Sequence, residues 1–204
     1  MASSQEAVAA GKGAVPRRRG PVLERAILEA ALDQLSTVGW GGLTMEGIAA
    51  RAQTGKAAVY RRWPSKHALV VDALYCVLPD VGDVPDLGSL REDLLFLVQR
   101  MREAMYSQGG LAIRSVLDEC DHSAAESFIG LIVRGVIEPG KRLILEVVQR
   151  GIARGEVRAD ATGDIVADVV PALMMYRAKL GGRDICERDL IEVVDQVMLP
   201  LLRT

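Results

Sequence analysis

Apolar residues recur at helical spacing from Pro21 almost to the end of the chain. Leu23, Ile27, Ala31, Leu35 and Val38 share one face and predict a first helix over residues 21–38. Gly39 follows as a left-handed cap, with Trp40 folding back onto the last turn. Thr44 is a good N-cap for a second helix over 45–52, and Glu46 stands in its first turn, where the helix dipole favours an acid. Met45, Ile48, Ala49 and Ala52 form its inner face. A third helix begins at Thr54 or Gly55 and runs to about Trp63, because Pro64 disfavours helical geometry in the residue before it. Ser65 caps a fourth helix, from Lys66 to about Leu78.

Residues 79–88 hold two prolines, two glycines and three aspartates, and read as a connecting loop at the clearest domain boundary. Beyond it the period stays helical. One helix spans Ser89 or Leu90 to Tyr106 and buries Leu94, Leu95, Leu97, Val98, Met101 and Met105. Gly109-Gly110 predicts a break, and 111–120 a short helix. Residues 122–154 form a long helix that Pro139-Gly140 kinks or splits. Residues 151–163 predict a turn, and 164–180 and 188–202 the last two helices, separated by Gly181-Gly182. No alternating strand segment and no repeat interrupts this, so the fold class is all-α.

Composition agrees. Half of the 204 residues are apolar but only 4% are aromatic, so Leu, Val, Ile, Ala and Met must build the core, which favours helices over sandwiches or barrels. The net charge of −2 hides an asymmetry: residues 17–75 carry nine Lys/Arg against five Asp/Glu, whereas 76–204 carry 15 against 21. A local basic surface attracts phosphate whatever the whole-chain charge. Cys76, Cys120 and Cys186 are odd in number and far apart, which indicates neither a disulfide framework nor a zinc site and points to the cytoplasm. No stretch reaches the roughly 18 apolar residues of a membrane span. Residues 1–15 are Ala/Gly/Ser-rich and are expected to be disordered.

The third helix carries the chemistry. Val59 and Trp63, four apart, share a face that can dock, while Lys56, Tyr60 and Arg62 fall largely outside it. Ala57 and Ala58 add no bulk and permit close approach to a groove. Lys56, Tyr60 and Lys66 suit phosphate contacts, and Arg61 or Arg62 suits guanine edges. Together with the preceding helix and turn this is the pattern of a helix-turn-helix that enters the major groove of DNA. Composition alone equally allows a short amphipathic helix with a solvated basic face, in a helical adaptor that binds no DNA. Arg17, Arg18 and Arg19 ahead of the first helix form either an arm for the minor groove or a tail of diffuse charge.

Residues 20 to about 75 resemble the N-terminal domain of the tetracycline-repressor (TetR) family of bacterial regulators. Gly39, Thr44, Ile48, Ala49, Tyr60, Trp63, Pro64, Ser65, Lys66 and Leu69 stand at that family's spacings. The resemblance implies a disordered arm over 1–19, a three-helix DNA-binding domain over 20–66 and a helical effector-binding and dimerisation domain over 67–204. It further implies a homodimer on double-stranded palindromic operator DNA, most often as a repressor, released when a small-molecule effector displaces the fourth helix. Thr44 joins the DNA-facing set. Three positions depart from the pattern. Gln53 stands where a turn glycine is usual and carries strain if φ is positive. Gly55 and Ala58 remove hydroxyls, although Thr54 offers a substitute cap.

The last two helices are too apolar for a surface position. Each exceeds the stripe of roughly 100° that a surface helix requires, so both must bury two faces. A second subunit accounts for one, through Ile165, Val169, Leu173, Leu190, Val194, Val197, Met198 and Leu201; the other reading is that both helices are simply interior. Candidates for an effector pocket are Met101, Met105, Leu111, Arg114, Ser115, Phe128, Met174, Met175, Tyr176 and Arg177, since Met lines adaptable pockets and a few polar groups orient a ligand. Ordinary core Met and Phe is the competing reading of each. Asp118, Glu119, Cys120, Asp121 and His122 point around a helix and cannot share one ion. No catalytic constellation, metal or cofactor is expected.

Overall fold

A computed structural model describes residues 19–119, 122–180 and 184–203, and every regular element among them is a helix. Helix α1 (Gly20–Gly42) is interrupted at Gly39, whose φ of 69° and ψ of −179° are closed to residues with a Cβ. This break turns Trp40 inward, leaving it 7% exposed. Helix α2 (Met45–Arg51) is capped by Thr44, whose Oγ1 accepts the Gly47 N–H at 3.1 Å. Helix α3 (Lys56–Tyr60) is shorter than its pattern predicts, because Pro64 bars helical geometry from Trp63 and the chain is already turning at Arg61. Helix α4 (Lys66–Tyr75) starts at Ser65, whose Oγ accepts the Ala68 N–H at 3.2 Å, and ends short of Leu78.

After the 79–88 loop come α5 (Leu90–Met105) and α6 (Gln108–Glu119). Gly109 and Gly110 do not break α6; they lie inside it and are buried. A Cβ on Gly109 would collide with the Val77 carbonyl, and one on Gly110 with the carbonyls of Ala104 and Met105. Glycine here permits close approach of backbones rather than a turn. Helix α7 (His122–Ile132) passes through a π turn, Val133–Ile137, into α8 (Glu138–Ala153). Helix α9 (Asp164–Leu180) follows, then α10 (Glu187–Val193), a second π turn (Val194–Met198) and α11 (Leu199–Leu202). Each π turn ends two residues before a proline, Pro139 and Pro200. Proline lacks the N–H that continues the α-helical ladder, and the wider turn absorbs the mismatch.

Two apolar cores result. The first joins α1 to α4 with Ala112 and Val116 of α6 and Phe128 and Leu131 of α7. The second joins α5 with α8 to α11 and the 79–88 loop through Val81. In the second core, Arg154 binds Glu156 at 2.6 Å, Asp86 at 2.7 Å and the buried Asp93 at 3.0 Å. The other Glu156 oxygen accepts the Leu90 N–H at 2.8 Å, at the start of α5, and this bond, more than Arg154, holds the carboxyl below the usual glutamate range.

The proposed dimer residues divide between inside and outside. Leu190, Val194 and Met198 are buried within their own subunit and are not available to a partner. Ile165 is 79% exposed, and Val169, Leu173, Val197 and Leu201 are half-buried. The final helix follows its own core more closely than its all-round apolarity suggests.

Candidate nucleic-acid interface and effector cavity

The turn between α2 and α3 runs through Gln53, the one non-glycine residue with positive φ among those described, at 54°. Gly55 is the N-cap of α3 and no side chain caps it, so Thr54 does not supply the missing bond. Val59 and Trp63 are buried and dock α3 on the first core. The Trp63 indole N–H donates to Asp72 Oδ2 at 2.8 Å, which ties the end of the reading unit to α4.

Lys56, Ala57, Tyr60 and Arg61 are exposed on the opposite side, together with Thr44 at the head of α2. Ala58 is turned inward and is only 6% exposed, one position from Val59 on the docking side, which corrects its expected place facing a groove. Arg62 is half-buried and folds back to donate to the Ala58 carbonyl at 3.1 Å, leaving Arg61 as the more exposed of the two arginines. Lys66, expected at a phosphate, instead donates to the carbonyls of Trp40 at 2.9 Å and Leu43 at 3.4 Å. Its ammonium lies 4.5 Å from the Trp40 ring centre, so it fastens the end of α1 to the start of α4. Arg19 is exposed just before α1, while Arg17 and Arg18 lie outside the described residues.

Glu46 was not among the expected site residues. Its carboxylate pairs with the Lys56 ammonium, which also sits 5.5 Å from the Tyr60 ring centre. Their hydrogen bond lowers the Glu46 pKa and raises that of Lys56 from their ordinary values. Both side chains are more than half exposed, so a phosphate can compete for the lysine. The signal in the sequence was Glu46's place in the first turn of α2, which faces the head of α3.

A cavity of about 170 Å³ lies in the following helices. Of the ten pocket candidates, Met101 and Met105 of α5, Arg114 of α6 and Met174 and Met175 of α9 line it. The other five candidates lie elsewhere. Leu111 and Tyr176 are on the surface, 46% and 61% exposed. Ser115 donates to the Leu35 carbonyl at 3.4 Å and so joins α6 to α1. Phe128 packs edge-on against Trp40, ring centres 5.2 Å apart, in the first core. Arg177 pairs with Asp189. Lining residues that the sequence reading missed include Pro79 and Val81, from the loop after α4, and Val136 and Ile137, from the first π turn. Pro139 was the available signal for the π turn, a distortion that recurs at functional sites.

The metal-capable run resolves into separate contacts. Glu119 accepts the Gly41 N–H at 2.9 Å and Asp118 pairs with Lys179 at 3.0 Å. Cys120 and Asp121 lie outside the described residues, as does the side chain of His122. Cys76 and Cys186 form no disulfide among the described residues. No helix is long and apolar enough to cross a membrane among the described residues.

The family model described as "Bacterial regulatory proteins, tetR family" matches residues 27–73, and "Tetracyclin repressor-like, C-terminal domain" matches 84–197. An uncharacterised HTH-type transcriptional regulator of Mycobacterium tuberculosis is 32% identical over 179 residues, covering 88% of this chain and 87% of its own. The DNA-binding transcriptional repressor TetR of Mycobacteroides abscessus is 29% identical over 186 residues, 91% of this chain and 96% of its own. Among solved structures, Salmonella enterica GusR shares the fold with a TM-score of 0.66 at 15% identity, over 90% of this chain and 97% of that one. The flavonoid-responsive regulator FrrA shares it at 0.63 and 18% identity, over 89% and 97%.

Proposed function

This chain belongs to the TetR family of DNA-binding transcriptional regulators, and we propose that it acts as a homodimeric repressor on a palindromic operator, released by a small molecule in the cavity beside α5, α6 and α9. It is not an enzyme, and nothing favours the adaptor reading. Residues 20–66 serve as the reading unit and 67–204 as the effector and dimer unit. Work on chromosomal DNA puts the protein in the cytoplasm.

One observation supports the operator reading above the rest: α3 is docked by Val59 and Trp63 while Lys56, Ala57, Tyr60 and Arg61 face outward together. Such a helix offers phosphate contacts and a free guanidinium to one groove. A two-fold axis places a second α3 roughly 34 Å away, one turn of DNA, and a palindrome follows from that symmetry. The effector reading is supported by continuity. Pro79 and Val81 line the cavity a few residues beyond the end of α4 at Tyr75, and α4 is joined to the segment just after α3 by the Trp63–Asp72 bond. A ligand that shifts the 79–81 segment moves α4, and by linkage DNA and ligand weaken each other equally.

Fluorescence anisotropy with DNA from the flanks of the protein's own gene tests the operator reading. Tight, steeply salt-dependent binding is expected, and K56Q or R61Q should each reduce the salt slope by about one without lowering thermal stability. Unchanged slopes in both variants would remove α3 from the interface.

A further inference from the structure

The cavity has a chemical bias. Its lining is almost wholly apolar: Met, Val, Ile, Leu, Pro and Ala side chains form it with the carbon stems of two basic residues, Arg114 and Lys179. The cations are not equivalent. Lys179 is held by Asp118 at 3.0 Å. Arg114 is half-buried, and no carboxylate pairs with it among the described residues. Asp118 stands one helical turn along α6 from Arg114, within reach by spacing, yet its carboxylate is turned to Lys179.

We propose that this cavity takes a small organic monoanion, an apolar body ending in a carboxylate that Arg114 receives. The inference rests on the effector-pocket reading above and names its ligand class. A neutral apolar ligand would fill the apolar wall and leave Arg114 without a partner. A cation would be repelled by Arg114, which has no carboxylate to offset it among the described residues. A carboxylate satisfies the planar donor fork of arginine with two parallel bonds. The cavity is partly open to solvent, and its volume of about 170 Å³ is room for a single ring or an acyl chain of about six carbons.

Calorimetric titration of the full-length protein with hexanoate, hexanol, hexylammonium and benzoate tests this without DNA. Hexanoate or benzoate, or both, should bind, according to whether the body is a chain or a ring. Hexanol should bind at least tenfold more weakly than hexanoate, and hexylammonium should not bind. R114Q should weaken the anions about 10- to 100-fold and leave hexanol unchanged, whereas R114K should recover part of the loss. D118N, which releases Lys179, should tighten the anions. Hexanol equal to hexanoate, an R114Q protein with wild-type anion affinity, or no anion binding at all would each overturn the proposal. Operator anisotropy measured in parallel separates the two readings. Anions that bind but leave the operator complex intact would defeat the release mechanism and leave the ligand class standing.

Discussion

At the scale of single residues, Gln53 shows how a sequence departure becomes a structural cost. With φ at 54° its backbone occupies a region that penalises a Cβ, and the turn between α2 and α3 requires it. Q53G should therefore stabilise the protein by about 0.5–1 kcal/mol, the relief being partly offset by the freedom glycine adds to the unfolded chain. Denaturant unfolding reads this directly, and a loss of stability would mean that the Gln53 side chain makes up for its conformation. Side-chain type was readable in the sequence; side-chain direction was not. Lys56, at the start of α3, and Lys66, at the start of α4, look alike as basic residues, yet one faces solvent beside Glu46 and the other is bound to two carbonyls over an indole ring. Ala58 carried no signal either way, since a methyl group suits a groove and a core equally.

At the scale of elements, prolines and glycines punctuate the chain, but what they do depends on neighbours. Pro64 ends a helix, while Pro139 and Pro200 each follow a π turn and allow the helix to continue. Gly109-Gly110 reads as a break along the chain. Across space it is the point where α6 meets the backbone just beyond α4, at Val77. G109A should cost about 1–3 kcal/mol, because the added methyl meets a carbonyl rather than a yielding side chain. A fall in melting temperature checks this, and an unchanged one would show that the 75–79 segment shifts freely. The same contact lies on the path from cavity to α4, so G109A should also weaken operator binding more than its loss of stability alone explains.

At the scale of the whole molecule, the open question is which apolar surface the monomer leaves for a partner. Ile165, Ala172, Tyr176 and Leu180 lie exposed along α9, with Val169 and Leu173 half-buried beside them. This stripe is the face that the proposed dimer covers. Placing Glu at both Ile165 and Tyr176 should leave the fold intact, since neither is buried, and should give monomers by analytical ultracentrifugation. Operator affinity should then fall about 100-fold or more, because two linked reading heads bind far more tightly than one. A doubly charged variant that remains dimeric would place the interface elsewhere.

The sequence by itself determined the helical class, the order of the helices, the caps at Thr44 and Ser65 and the family of the reading unit. These depend on period, capping chemistry and local spacing, all written along the chain. Only the tertiary structure decided which apolar faces meet each other. It set Leu190, Val194 and Met198 inside their own subunit, Phe128 against Trp40 and Pro79 beside Met101 in the cavity wall. Burial against a partner and burial against one's own core leave the same apolar residues in sequence. The two are told apart only when the distant helices that compete for those faces are seen in place.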